Sequence, residues 1–442
     1  VWMMQSFPNA KTAELQNIYE IHFQNKQWNK DRLKTAFSNL NLFDKIEFAN
    51  YYIADNQLKR EGGHGYTNSI LTSSCPEPLA PVNDLYVSNN WVNNDALNLI
   101  EANCAWTITK GDPSIVVGIA DTEFDDNHED LKNQIIHLSG NYTAPPECEH
   151  GTIVAGCVAA ETNNSLGIAG IGYNTKIAGY KVYSYVWYDS NRNPRCGGNP
   201  WSGIWQAFQD ERPIINVSWT GIGSPPNGVV AAAQEIVDGG TILVLGAGNS
   251  PNSNSHSSYA NIPGVINVSG VDANNQHGPT GHAHNQWVDL CALSTNVTST
   301  YRNDNYGGGW GTSFAAPQVA GVAALILSVN PCLTPAEVED ILKTTTEPIS
   351  DASSYPNGLG TGRVNAYRAI EKAANLCIEN QNITSNSDFE SYILCTKNID
   401  VQNNSELELR AVKQVNIFDS FTLQAGTKLE IFVDESYQIN CQ

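Results

Sequence analysis

The sequence predicts an α/β fold: a mostly parallel central sheet between layers of helices, preceded by a small α+β unit and followed by a small β module. Three observations carry this. From Ile115 onward, apolar strand-like runs alternate with helical patterns, the arrangement of a parallel sheet covered on both faces. At 442 residues the chain is too long for one ordinary core, so two or three domains are expected. The two ends differ in pattern from the middle: residues 17–54 mix strand-like and amphipathic segments, and residues 386–442 alternate with period two.

In chain order, Ile18 to Phe23 is strand-like, Arg32 to Leu40 amphipathic and helical, and Ile46 to Ile53 strand-like again. This βαβ-type unit sets residues 1–56 apart. Residues 57–85 are rich in Gly, Ser and Pro and contain Lys59-Arg60-Glu61-Gly62-Gly63, which reads as an exposed, cleavable linker.

Within residues 86–377, strands are expected over 115–120, 176–182, 214–218, 241–245 and 265–271, with helices starting at His150, around 204–209 and over 228–237. Open sheets of this kind bind ligands beyond the carboxyl ends of their strands. Polar residues at strand ends are therefore the functional candidates. Tyr306 to Trp310 reads as a flexible approach to a buried helix, since the apolar run Ala320 to Leu327 is too rich in Ala for a strand, with Ser313 near the helix start. Pro317 is accommodated if its missing N–H falls in the first turn. Thr334 caps a further helix, with Glu337 three residues later completing a capping box. In the final module, residues 407–410, 415–418 and 429–433 read as short stacked strands.

The formal charge is −21, but residues 1–75 carry eight Lys/Arg against seven Asp/Glu, so the remainder holds −22. Such a surface disfavours nucleic acid and anionic lipid and suits cations. The longest strongly apolar stretch, about Val319 to Leu327, is short of a membrane span. No basic and apolar leader follows Val1. Ten cysteines without a close C-x-x-C pair argue against a zinc ribbon. Their even number favours disulfides and an oxidising compartment, although Cys157, on an apolar helix pattern, also fits a buried free thiol.

Four segments put polar groups at the strand-end edge. Asp121 follows the run Val116 to Ala120, His150 opens a helix of small residues, Asn249 follows Ile242 to Gly248, and Ser313 lies in Gly311-Thr312-Ser313-Phe314-Ala315-Ala316-Pro317. Each alone has an ordinary explanation as a turn residue, a core histidine or a helix cap. Together they supply acid, base, oxyanion donor and nucleophile. Their order and flanks resemble the subtilisin family of serine proteases, from about Trp91 to Ala374, including Lys176 to Val182, Ile215 to Ser218 and Gly362 to Ala366. In α/β-hydrolases the histidine follows the nucleophile, whereas the last histidine here is His284.

The resemblance implies a three-layer subtilisin-like fold and a secreted, extracellular, periplasmic or cell-surface endopeptidase that works through Asp121, His150 and Ser313, with Asn249 facing the oxyanion. It implies that protein or peptide substrates lie along Ser218, Trp219, Thr220 and Gly221, with Ala247 and Gly248 across the primary pocket. It implies no organic cofactor, and a structural calcium held by Asp130, Thr162, Asn164, Leu166 and Ile168. It implies a zymogen, in which residues 1–56 are a prosegment acting as an intramolecular inhibitor. The rival from another class is a catalytically silent binding or adhesion protein on the same scaffold. The chain departs from the usual pattern at Glu123, Ile153 and Thr220. His282-Ala283-His284 reads as a polar surface loop without a third metal ligand nearby.

Overall fold

The computed structural model describes residues 82–85, 93–140, 148–182, 184–188, 194–198, 201–219, 229–253, 260–379, 381–402, 405–423, 427–434 and 439. The expected prosegment and nearly all of the expected linker lie outside them. The strands in chain order are β1 (Val116–Asp121), β2 (Ile135–Ser139), β3 (Lys176–Lys181), β4 (Ser184–Tyr188), β5 (Pro194–Gly198), β6 (Ile214–Val217), β7 (Ile242–Gly246), β8 (Val265–Val271), β9 (Leu290–Leu293), β10 (Thr295–Tyr301) and β11 (Asn305–Trp310). Seven of them form one sheet in the order β2-β3-β1-β6-β7-β8-β9, and every pairing in it is parallel. From β1 the chain first builds outward to β3 and β2, then returns to β6 on the other side. Asp121, the last residue of β1, therefore sits where the strand order reverses, the place at which open parallel sheets form their crevice.

Helices His150–Ala159, Trp201–Gln209, Val229–Asp238 and Thr312–Val329 flank this sheet. The last is buried along almost its whole length, which is why its sequence is Ala, Val, Leu and Ile on every side instead of amphipathic. It is long and apolar enough to cross a membrane, but it is the core helix of this sheet. Helix Pro335–Thr344 has the expected capping box, with the Thr334 side chain accepting from the Glu337 N–H and the Glu337 carboxylate accepting from Thr334.

Three elements depart from the sequence reading. The Gly-rich approach to Ser313 is not a loop but strand β11, paired antiparallel with β10; three consecutive glycines hide the period-two signal that would have marked it. Strand β2 also escapes prediction, because only Ile135 on it is well buried. Finally, Pro317 is the sixth residue of its helix, so it does remove an interior hydrogen bond.

Cys104, Cys148 and Cys332 are disulfide-bonded, whereas Cys157 and Cys291 are buried free thiols. Burial pushes the Cys157 thiol up to about 12, so it stays protonated and inert.

The C-terminal module is a separate body. It comprises β12 (Asn375–Glu379), β13 (Asn382–Ile383), β14 (Ser387–Val401), β15 (Glu406–Leu423) and β16 (Lys428–Val433). All its pairings are parallel and largely in register, so that Phe389, Leu409 and Ile431 stack across three strands. Residues 407–410 and 415–418 belong to one continuous strand, not two. Its core is Leu394, Ile399, Val401, Leu407, Leu409, Leu429 and Ile431 with their neighbours.

Candidate active site

Strand β1 delivers Asp121 fully buried, with Oδ1 accepting the Thr122 N–H at 2.7 Å. The residues just beyond it hold the start of the His150 helix. Thr122 Oγ1 accepts the Gly151 N–H at 3.2 Å, and the Glu123 carbonyl accepts the Thr152 N–H at 3.1 Å. From the other side β10 grips the same helix, Ser299 Oγ donating to the Ile153 carbonyl at 2.6 Å and Thr300 Oγ1 to the Thr152 carbonyl at 2.7 Å. That approach requires Gly156, where a Cβ would lie 2.4 Å from Thr300 Oγ1.

So positioned, His150 Nδ1 lies 3.0 and 2.9 Å from the two Asp121 carboxylate oxygens. A carboxylate only accepts, so Nδ1 carries the hydrogen and Nε2 is left with its lone pair free to take a proton. Burial pushes the His150 imidazolium down, but the charge and hydrogen bond of Asp121 outweigh it and the net direction is upward.

Ser313 is the second residue of the long buried helix. Its N–H is among the first-turn donors that have no intrahelical partner, at the positive end of the helix dipole. Its hydroxyl donates to the Ser218 carbonyl at 3.0 Å, and Ser218 Oγ donates to the Ser313 carbonyl at 3.1 Å. The second bond explains Pro317: the carbonyl that an ordinary residue at 317 would have engaged belongs to Ser313, and its release leaves it for Ser218. Resting on Ser218, the Ser313 hydroxyl makes no hydrogen bond to His150, a looseness common before substrate binds.

Asn249 is clamped in one orientation. Its Oδ1 accepts both the Thr312 N–H at 2.8 Å and Thr312 Oγ1 at 3.1 Å, which leaves the amide NH2 as the available donor. Gly311, at φ +139°, makes this possible, since a Cβ there would lie 3.1 Å from Asn249 Nδ2. Gly311→Ala is therefore expected to cost about 1–2 kcal/mol in backbone strain and to lower kcat by about 10–100-fold through displacement of the amide. Denaturant unfolding and steady-state kinetics on one preparation check both. Of the other residues expected to meet substrate, Ala247 is buried, Gly248 donates to Thr312 Oγ1 at 3.2 Å, and Trp219 is half-buried against the core. Thr220 and Gly221 lie outside the described residues.

A second polar locus gathers around Asp130, which is fully buried. Asn164 Nδ2 donates to its Oδ1 at 2.7 Å and the Ile168 N–H to its Oδ2 at 2.9 Å. Leu166 donates its N–H to Asn164 Oδ1 at 2.8 Å, and Thr162 Oγ1 donates to the Ala160 carbonyl at 3.1 Å. The sequence reading missed Asp84. This residue is fully buried, and its carboxylate accepts the Asn163 N–H at 2.9 Å. Burial pushes the Asp84 carboxyl up to about 6, with Asp130 adding to it and the loop N–H groups opposing. Burial raises Asp130 as well, against its hydrogen bonds from Ile168 and Asn164. Two buried carboxylates raised together, amid amide and carbonyl oxygens, suit a hard cation. Among the described residues no group of three or more His, Cys, Asp or Glu is placed to hold a metal, so calcium would depend on those neutral oxygens.

His282-Ala283-His284 is not the surface loop its composition predicts. His282 is fully buried, its ring 4.6 Å from that of Trp310, and the Ala283 N–H donates to the Gly248 carbonyl at 3.0 Å. The segment thus backs the Asn249 loop.

Fold and site together define an α/β protein that carries an Asp–His couple and a helix-start serine at the carboxyl edge of a parallel sheet. The family model described as the subtilase family matches residues 112–387, and the chain belongs to that family. It is 36% identical over 253 residues to an extracellular protease of Xanthomonas campestris, a match that covers 51% of this chain and 40% of that protein. It is 31% identical over 276 residues to a thermophilic serine proteinase of a Bacillus species, covering 60% of this chain and 64% of that one. Less than two thirds of either relative is therefore spanned. Among solved structures, a protease from Pseudoalteromonas arctica is similar with a TM-score of 0.52 and 28% identity, over 66% of this chain and all of that one.

Proposed function

We propose that this chain is a serine endopeptidase in which His150 takes the proton of Ser313 as its Oγ attacks a peptide carbonyl, then passes it to the leaving amine. Asp121 holds the imidazole in the Nδ1–H tautomer and stabilises its cation. The single observation that carries the reading is the bifurcated contact of Asp121 with His150 Nδ1, at 2.9 and 3.0 Å, on a helix held from both sides. The acyl-enzyme forms as the C–N bond breaks, and water then releases the acid by the same proton path in reverse. The Ser313 N–H and the Asn249 NH2 face the oxyanion. Asn249→Ala is expected to lower kcat by about 10²–10³, with KM little changed; that range comes from subtilisin itself. An unaltered kcat would remove Asn249 from this role.

Extended substrate pairs with the backbone at Ser218 to Gly221, so affinity comes from main-chain bonds and selectivity from the pockets. Residues 1–56 act as an inhibitory prosegment, released by cleavage within residues 57–85, and residues 386–442 remain as an accessory module. The disulfide-bonded Cys104, Cys148 and Cys332 and relatives such as the extracellular protease support the reading that the chain is secreted.

Calcium is held by the Asp130 and Asp84 carboxylates, the Asn164 amide, and the carbonyls of Thr162, Leu166 and Ile168, where it tethers residue 84 to the loop and opposes unfolding. With excess chelator the unfolding midpoint is expected to fall by several degrees, and an unchanged midpoint would remove the ion. Against the rival of a silent binding protein stand Asp121, His150, Asn249 and Ser313, all intact. Hydrolysis of casein by the processed chain, absent from Ser313→Ala, tests the reading, and inert processed chain overturns it.

A further inference from the structure

Glu123 stands where the family pattern has glycine, and its surroundings give it a task. Strand β1 ends at Asp121, whose Cα partner across the parallel ladder is Lys181, the last residue of β3. Two residues on, Glu123 Oε1 lies 3.4 Å from Lys181 Nζ, with both side chains mostly buried, at 13% and 22% exposure. The Glu123 backbone is also part of the catalytic framework. Its N–H donates to the Cys148 carbonyl at 3.2 Å, and its carbonyl accepts the Thr152 N–H at 3.1 Å. A Cβ on Gly151 would lie 2.8 Å from that carbonyl oxygen, so Glu123 presses against the turn that presents His150.

We infer that Lys181 and Glu123 are positioning residues of the Asp121–His150 couple: each cancels the field of the other at the imidazole, and together they pin the β1 exit to β3. The inference rests on the protease reading for its functional meaning, but not for its test. A lone ammonium beside the end of β1 would favour the neutral imidazole, and a lone carboxylate there would favour the imidazolium, because charges in a partly desolvated site act over several ångströms. Among the described residues, the other charged side chains tied to the β1 exit and the His150 turn are Asp121 itself, Asp125, whose Oδ2 accepts the Asn303 N–H at 2.8 Å, and Glu149, whose Oε2 accepts the Arg302 N–H at 2.9 Å. These are unchanged in every variant and drop out of the comparison.

The test is an NMR titration of the His150 ring in full-length chain carrying Ser313→Ala, with isotope-labelled histidine and a His150→Gln spectrum for assignment. It reads the imidazole directly and needs no turnover. Lys181→Met is expected to move the His150 midpoint up, and Glu123→Gln to move it down, each by about 0.3–0.6 pH unit. Lys181→Arg, which keeps the charge, should restore the parent value, and the double variant should lie near it. Shifts in the same direction for both single variants, or none in either, would overturn the inference. Should Lys181→Met not fold, the downward shift in Glu123→Gln decides alone. Opposite shifts in the Ser313→Ala background, with no casein hydrolysis by the processed chain that retains Ser313, would leave the pair in place and remove the protease reading instead.

Discussion

Ser313→Ala is expected to lower kcat by about 10⁶-fold while KM stays within a few-fold of the parent. In the proposed mechanism this hydroxyl is the nucleophile, and among the described residues of the helix start no other free hydroxyl stands beside it. Buried Phe314, Ala315 and Ala316 follow it, and the neighbouring Thr312 hydroxyl is already engaged by Asn249 and the Gly248 N–H. The substitution leaves the fold almost untouched, because the Ser313 side chain makes one hydrogen bond, to the Ser218 carbonyl, while the structural bond between these residues uses the Ser313 carbonyl. Unfolding midpoint and substrate affinity should therefore survive while turnover vanishes. A loss of binding in parallel with turnover would place Ser313 in the framework instead of the reaction.

Asp121→Asn is expected to lower kcat by about 10⁴ near neutral pH. An amide in place of the carboxylate can donate towards Nδ1, which favours the wrong tautomer and leaves Nε2 protonated. It also withdraws the charge that holds the His150 imidazolium up. The sign of the pH effect follows. In the proposed mechanism the base works neutral, so activity of the parent chain is expected to rise with pH through a midpoint above the ordinary histidine value of about 6.5. In the variant only burial remains, and the midpoint of the residual activity should move down. Stopped-time assays of kcat/KM from acid to mildly alkaline pH check both the magnitude and the direction.

Much of this was legible in the sequence because the candidate site is built from strand ends and helix starts, the positions that apolar patterning marks best. Asp121, His150 and Ser313 could be placed from their flanks alone, since a run such as Val116 to Ala120 leaves little doubt about where a buried strand stops. What the sequence hid involves distant residues or runs with little side-chain signal. Strand β11 is concealed by Gly307, Gly308 and Gly309, and its pairing with β10 emerges only in three dimensions. Asp84 joins a loop 79 residues away, a contact no local pattern announces. His282 looked like surface because His-x-His is polar, yet it is fully buried behind the Asn249 loop. Pro317 lies within the expected helix, but past its first turn. Its missing N–H is not idle but leaves the Ser313 carbonyl to Ser218. Glu123 departs from the family pattern in sequence, but its pairing with Lys181 emerges only in three dimensions.

The most direct test of the central claim is covalent labelling of the processed chain with a fluorophosphonate, followed by peptide mass mapping. A nucleophile activated by Asp121 and His150 should carry the label on Ser313 at near-stoichiometric yield, and both Ser313→Ala and His150→Ala should lose it. An unlabelled but folded processed chain, or a label on another residue, would contradict the account.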